Sequence, residues 1–324
     1  MQNTIYLSNV YDPYHNLALE SLLFDAQGGG VTLYLWQNQN TVVIGKNQNA
    51  WKECRTQLLE QEGGRLARRS SGGGTVFHDL GNLNFTFLLP RKSYDVHKQL
   101  SVIQQAAASF GIETEFTGRN DLVVKESGAK FSGNAFRFGS DVAMHHGTVL
   151  IDVDMSKLAR YLAPSPDKLA AKGIESVRSR VQNLQELNPA LTVDTMKDAL
   201  IDAFIKTYGI ARVGQEFQLD EEKLHSLTEL YGSWEWKMGR TPAFDIVLEQ
   251  RFSWGGVEIQ LSLSKGTIVD AKVYSDAMDE AFIERIAPVL LCSPFQSKEM
   301  AERIRALRQA QAGELADWIL EKGF

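Results

Sequence analysis

The fold class predicted from this sequence is α+β: a mixed, largely antiparallel sheet flanked by helices, followed by a smaller α/β accessory unit. Three observations carry that reading. Between residues 113 and 153, strand-like runs follow one another with connections too short for the crossovers that parallel neighbours need. Helical patterning then dominates from Met155 to Leu230. After a stretch of little periodicity, Gly232–Phe244, the pattern resets to strands and then helices. The 324 residues exceed the roughly 250–300 at which one core stops growing, so the reset is taken as a boundary, with domains 1–244 and 245–324.

The elements follow in order. Tyr14–Ala26 reads as a helix, with Leu19, Leu22 and Leu23 on one face and Gly28–Gly30 to stop it. Val31–Trp36 and Thr41–Ile44 are rich in β-branched and aromatic residues and read as strands. Trp51–Gln61 reads as a second helix, ended by Gly63 and Gly64. Arg65–Arg69, Thr75–His78 and Asn82–Leu89 read as strands, the last from the alternation of Phe85, Phe87 and Leu89. Val96–Phe110 is a long helix with Gly111 at its C′ position. Four strands come next: Glu113–Phe116, Asp121–Val124, Lys130–Phe138 and Val142–Val153. A polar, glycine-containing segment, Ala170–Asn183, interrupts the helical stretch. The terminal unit is predicted as strands Arg251–Leu263 and Thr267–Tyr274, with helices starting at Asp279, Ser297 and Gly313.

Composition narrows the function classes. With 44% hydrophobic and 23% charged residues the chain is not a disordered one, and its net charge of −6 argues against a dedicated nucleic-acid or anionic-membrane binder. Cys54 and Cys292 are too few and too far apart for a disulfide framework or a cysteine-rich zinc site. No basic n-region and apolar core open the sequence, and no apolar run approaches the ~18 residues of a membrane helix. A cytoplasmic protein is expected.

Chemistry concentrates in two stretches. Arg68-Arg69-Ser70-Ser71-Gly72-Gly73-Gly74-Thr75-Val76-Phe77-His78-Asp79 joins permanent cations to three glycines that expose backbone N–H groups. It lacks the Gly-Lys-Ser/Thr of a phosphate loop, and a strand rather than a dinucleotide-type helix follows. On chemistry alone, an anion cradle and a tight turn with solvated arginines both remain open. In the second stretch, Asp121 and Lys130 bracket a short turn, and Lys130 precedes Ser132-Gly133, where backbone comes close to a ligand. Lys130 is suited to stabilise charge on carbonyl and phosphate oxygens, and Asp121 to hold magnesium; a surface salt bridge is the alternative. Adjacent His145 and His146 on a strand point to opposite faces, which excludes a shared metal and leaves one as core or substrate-facing. Cys54 is expected in a helix as a buried structural thiol, and Trp234 and Trp236 are expected to pack between domains.

Several stretches together resemble the bacterial lipoate–protein ligase A family, of the biotin/lipoate ligase fold. They are Tyr11–Glu20, Arg68–Asn82, Gly118–Leu122, Lys130–Ala135, His145–Thr148, Lys168–Arg180, Trp234–Trp236 and Phe252–Glu258. The resemblance implies activation of lipoate by ATP to lipoyl-adenylate with release of pyrophosphate, then transfer to a lysine of an acceptor domain. It implies ATP and Mg2+ as cofactors. The acceptors would be lipoyl domains of 2-oxoacid dehydrogenase E2 subunits and the glycine-cleavage H protein, and the enzyme a monomer. By resemblance, Arg69, Gly74, Thr75, Val76 and Phe77 contact ATP, and Asn120, Asp121 and Ser132 frame the adenylate and its metal. Lys130 is the catalytic lysine, touching nucleotide and lipoyl carbonyl. Arg69, Ser71, Gly72, Gly73, His78 and Lys130 bind lipoate, whose tail is expected among Phe77, His78 and Phe85. Leu169–Arg180, including Lys172, Gly173, Val177 and Arg178, closes over the adenylate, and the C-terminal domain is the other candidate cover that would keep water from it. A thioester-using octanoyl or lipoyl transferase would need a cysteine after the His145–Val153 strand, and none lies between Cys54 and Cys292. Biotin ligases are the other relatives, but their glycine loop differs and no helix-turn-helix leader is expected here; a non-enzymatic adenylate sensor is a reading of a different class.

Overall fold

The computed structural model describes residues 2–48, 50–117, 121–162, 181–213, 219–238, 246–264 and 267–322. Its main sheet runs in the order β11 (Ala211–Val213), β1 (Asn3–Leu7), β2 (Thr32–Trp36), β6 (Asn82–Pro90), β10 (Val142–Leu150), β9 (Lys130–Phe138), β8 (Asp121–Val124), β7 (Thr114–Thr117). Only the β11–β1 and β1–β2 pairings are parallel, so the sheet is mixed and largely antiparallel. The four strands expected between residues 113 and 153 do pair antiparallel in sequence. A smaller sheet, β4 (Arg65–Arg68), β3 (Thr41–Ile44), β5 (Val76–His78), stands beside it.

Central strand β6 shows why the layers form. Leu83, Phe85, Phe87 and Leu89 point one way, into a core completed by α4 (Val96–Ala108) and α6 (Val193–Tyr208). Asn84 and Thr86 point the other way. There α1 (Pro13–Asp25) and α7 (Glu221–Gly232) pack Leu17, Leu22, Leu224 and Tyr231 against Tyr34 and Trp36. Asp12 caps α1 by accepting from the Tyr14 and His15 amides, with Pro13 at the first turn. The terminal unit is a meander, β12 (Ile246–Phe252), β13 (Gly255–Ser264), β14 (Thr267–Ser275), covered by α9 (Glu280–Leu290), α10 (Ser297–Arg305) and α11 (Ala310–Lys322). It has its own core around Ile259, Phe282, Ile286 and Trp318. On that separate core we propose the division near residue 245 as a domain boundary. No helix among the described residues is long and apolar enough to cross a membrane.

The structure differs from expectation where tertiary contacts outweigh local pattern. The Trp51–Gln61 helix breaks into α2 (Ala50–Glu53) and α3 (Thr56–Gln61), because the Arg55 amide donates to Tyr161 of α5 (Met155–Tyr161) at 2.9 Å. Cys54 therefore sits between helices, bridged to Leu162. Arg251–Leu263 is not one strand: Phe252 pairs with Gly255 across a Ser253–Trp254 turn. The expected connector contains a short helix, α8 (Trp234–Lys237), capped by Ser233, and strands β1 and β11 were not anticipated.

Candidate active site

A cleft of about 460 Å³ opens on the polar side of the main sheet, between the small sheet and the terminal unit. Its floor is a row across neighbouring strands. Trp36 pairs with Asn84 and Asn84 with Thr148; Thr148 Oγ1 accepts the Gly133 N–H at 3.2 Å, and Gly133 pairs with Asp121. All five line the cleft, so it grades from an aromatic end with Leu17, Trp36 and Val43 to a charged end with Asp121 and Lys130. A register shift between β8 and β9 places Lys130 opposite Val123 and sets its side chain over Gly133. A Cβ at residue 133 would lie 2.8 Å from Lys130 Nζ, so the glycine is what leaves room for the lysine. Lys130 Nζ stands 2.7 Å from Asp121 Oδ1, each side chain about a third exposed. The Lys130 carbonyl also accepts the Gln182 amide at 2.9 Å, tying the chain just after residue 180 to the site.

The glycine loop forms the upper wall, with Gly73, Gly74, Thr75 and Val76 on the cleft. Gly73 takes φ +89°, a left-handed conformation that favours glycine. Arg69 is what shapes this loop: its guanidinium donates to Gly72 O and Gly74 O at 2.7 Å each and to Val43 O at 3.3 Å, while Nε reaches Ser71 Oγ at 3.1 Å. Burial lowers the Arg69 pKa to about 10, and it remains a cation on the cleft wall at neutral pH. Arg68 does not join it. Its side chain donates to the carbonyls of Gly45, Lys46, Gln48, Trp236 and Lys237, tying α8 to the end of β4. Arg65 pairs with Asp12. Of Arg65, Arg68 and Arg69, only Arg69 lines the cleft.

The two histidines diverge as strand geometry requires. His145 is buried between Gln99 and Asn134, each 2.8 Å away, and against Phe87; burial pushes its pKa down to about 3. His146 lines the cleft and bridges Ser71 Oγ, at 2.6 Å from Nε2, to the buried carboxylate of Glu20, at 2.8 Å from Nδ1. Glu20 Oε1 also accepts from Thr86 Oγ1 at 2.6 Å. A continuous chain thus runs Glu20–His146–Ser71–Arg69 from helix α1 to the glycine loop. Residue identity alone did not reveal Glu20's part in it.

Of the remaining sequence-derived residues, His78, Thr75 and Val76 line the cleft, whereas Phe77, Ser71, Gly72 and Ser132 do not. Phe77 turns into the small-sheet core against Tyr161, and Phe85 into the main core, so neither ring walls the cleft as expected; Val43 and Val76 stand there instead. Ser132 is fully buried. Asn120 and the covering-segment residues Lys172, Gly173, Val177 and Arg178 lie outside the described residues. Trp236 packs on Tyr231 and donates to Arg68 O at 2.9 Å, so it belongs to the first unit rather than to a domain interface. Cys54 is buried, with its thiol pushed up to about 12 by burial and then by Glu60; Cys292 is exposed, and neither borders the cleft. The terminal unit supplies residues that were not anticipated: Arg251, Ser253, Trp254, Asp276 and Met278. Arg251 is held by Asp276 at 3.2 Å, and Asp276 also takes the Gly256 N–H at 2.6 Å. The Phe252–Glu258 stretch marked the neighbourhood without indicating which side chains reach in.

The profile of the lipoyl protein ligase A/B catalytic domain matches residues 12–205, and that of the bacterial lipoate protein ligase C-terminus matches residues 241–319. Among solved structures, the chain is similar to P. falciparum LipL1 in complex with lipoate, at 29% identity and a TM-score of 0.86, over 98% of this chain and 99% of that one. It is similar to a bi-partite lipoate protein ligase from Thermoplasma acidophilum, at 24% identity and a TM-score of 0.68, over 76% of this chain and 100% of that one. A lipoate-protein ligase A bound with ATP matches at 23% identity and a TM-score of 0.65, over 74% of this chain and 99% of that one. These last two likenesses carry the fold alone.

Proposed function

Because the chain belongs to the lipoyl protein ligase A/B catalytic-domain family and is a ligase, we propose that it activates lipoate with ATP and transfers the lipoyl group to a protein lysine. The observation that carries this reading is the graded cleft, in which an apolar end and the Lys130–Asp121 pair share one continuous floor beneath the glycine loop. In the first step a lipoate carboxylate oxygen attacks the α-phosphorus of ATP and pyrophosphate leaves. In the second, the acceptor amine attacks the acyl carbonyl and AMP leaves. Neither step asks for an enzyme nucleophile, since the phosphoanhydride already activates the acid. That both cysteines stand away from the cleft favours this route over a thioester one.

The chain's own work is positioning and charge stabilisation. Lys130 meets the acyl and phosphate oxygens; Arg69 holds the loop carbonyls inward while its charge faces the phosphates; Asn120 and the segment 169–180 complete the adenylate site. Thr75, Val76 and the backbone of Phe77 flank the nucleotide. Asp121 fits a magnesium ion brought in on ATP, because that ion takes one or two carboxylates plus phosphate oxygens. When bound, the ion would neutralise phosphate charge. The T. acidophilum ligase is described with its E2 lipoyl domain, which supports E2 lipoyl domains, and by extension the H protein, as acceptors. A monomer in the cytoplasm is the form proposed.

The test is purified protein with lipoate, ATP, magnesium and an E2 lipoyl domain. Pyrophosphate release and the mass gain of one lipoyl group on the acceptor are expected, and an unmodified acceptor under saturating conditions overturns the reading.

A further inference from the structure

Two cleft-lining side chains each carry a buried N–H donor with no acceptor among the described residues. Asn38 fixes the first. Its side-chain oxygen accepts from Asn16 Nδ2 at 3.1 Å, so its own Nδ2 donates to His78 Nδ1 at 3.2 Å. His78, whose pKa burial and then Arg69 lower to about 3, is therefore a neutral imidazole with its proton on Nε2, and Nε2 has no partner. Asn84 is the second: its oxygen accepts from Asn82 Nδ2 at 3.0 Å, leaving Nδ2 unpaired. His78 is 3% and Asn84 2% exposed, and both line the cleft. Buried donors without acceptors are costly, and at a cleft wall they mark where ligand atoms with lone pairs belong.

The position of Asn84 along the floor identifies those atoms. Asn84 lies on β6, two strands away from Gly133 on β9, above which Lys130 stands. Two strand spacings are roughly 10 Å, about the length of an extended eight-carbon acid whose carboxylate is at Lys130. On lipoate, the only heteroatoms that far from the carboxylate are the two ring sulfurs; on octanoate there are none. Resting on the lipoate reading above, we propose that His78 and Asn84 select a sulfur-bearing acyl tail over a plain hydrocarbon one by donating N–H···S hydrogen bonds to the dithiolane. Sulfur is a weak but polarisable acceptor. A methyl group in its place covers both donors and pairs neither, and a site built around a hydrogen bond discriminates against the analogue that lacks it.

The experiment compares kcat/KM for pyrophosphate release with three acids: lipoate, octanoate and cyclopentylpentanoate, which keeps the ring but replaces its sulfurs with carbon. The wild type is expected to favour lipoate over the carbocycle by about tenfold or more. Asn84→Leu and His78→Leu are each expected to pull that ratio toward unity. Parity of lipoate and carbocycle in the wild type overturns the proposal without recourse to any variant, as do folded variants that keep the full preference. Wild-type turnover of the carbocycle equal to lipoate leaves the ligase reading standing and removes only the sulfur selection. If none of the three acids is turned over, the two readings fall together.

Discussion

At the scale of single residues, the site is a set of charges placed by different means. Lys130 and Asp121 were legible in the sequence, because a short turn between two strands must bring its flanks together. Arg68 was not: neighbouring arginines at a strand end diverge, and only the fold shows which one meets backbone carbonyls from α8. The chain from Glu20 through His146 to Ser71 was equally hidden, since its members are separated by many residues. Removing His146 leaves the buried Glu20 carboxylate with Thr86 as its one remaining side-chain hydrogen-bond partner among the described residues. His146→Ala is therefore expected to cost about 3–5 kcal/mol in urea unfolding. Ser71→Ala should cost less, about 1–3 kcal/mol, because Arg69 keeps its bonds to Gly72 O and Gly74 O. Equal losses in the two variants would contradict this account. Lys130→Ala should abolish adenylate formation with little change in the thermal melt; near-normal pyrophosphate release would make Lys130 structural.

Elements set the spacing of these groups. The alternation of β6 was visible in Phe85, Phe87 and Leu89, and so was the run of antiparallel strands that follows. Short β1 and β11 and the break at Cys54 were not, because partners far along the chain decide them. Two glycines on adjacent strands separate geometry from stability. In Gly133→Ala the new Cβ meets only the flexible end of Lys130, at 2.8 Å, so turnover should fall at least tenfold while the melting temperature moves little. In Gly147→Ala the Cβ would meet Phe85 Cζ at 2.6 Å and Gly133 O at 2.7 Å, neither free to move, and a loss of about 1–3 kcal/mol is expected. Thermal melts of both variants beside their pyrophosphate-release rates check the contrast.

Over the whole molecule, two buried neutral histidines shape the acid response. His78 and His145 fold with pKa values lowered to about 3, against an ordinary value near 6.5. Below about 6.5 the unfolded chain binds protons that the folded one refuses, so stability is full at neutral pH and is lost as pH falls toward 3. Each is expected to contribute about 2 kcal/mol of destabilisation between pH 7 and pH 5. A urea midpoint unchanged across that interval would contradict their neutral burial. The reset after residue 244 is what suggested the division into two units proposed above, and cover of the site by the second unit was one expectation; which of its side chains reach the cleft was not legible. That reach requires the docking seen at Lys46–Glu284, 2.6 Å, and at the Gly73 amide, which donates to Ala277 O at 3.1 Å.

The Gly73–Ala277 bond has a spectroscopic corollary. The Gly73 amide proton is shielded by a carbonyl of the accessory unit, so it trades with deuterium only when that contact opens. Exchange at this one glycine therefore times the separation of the two units, and it does so in the unmodified protein, without a dye or an engineered label.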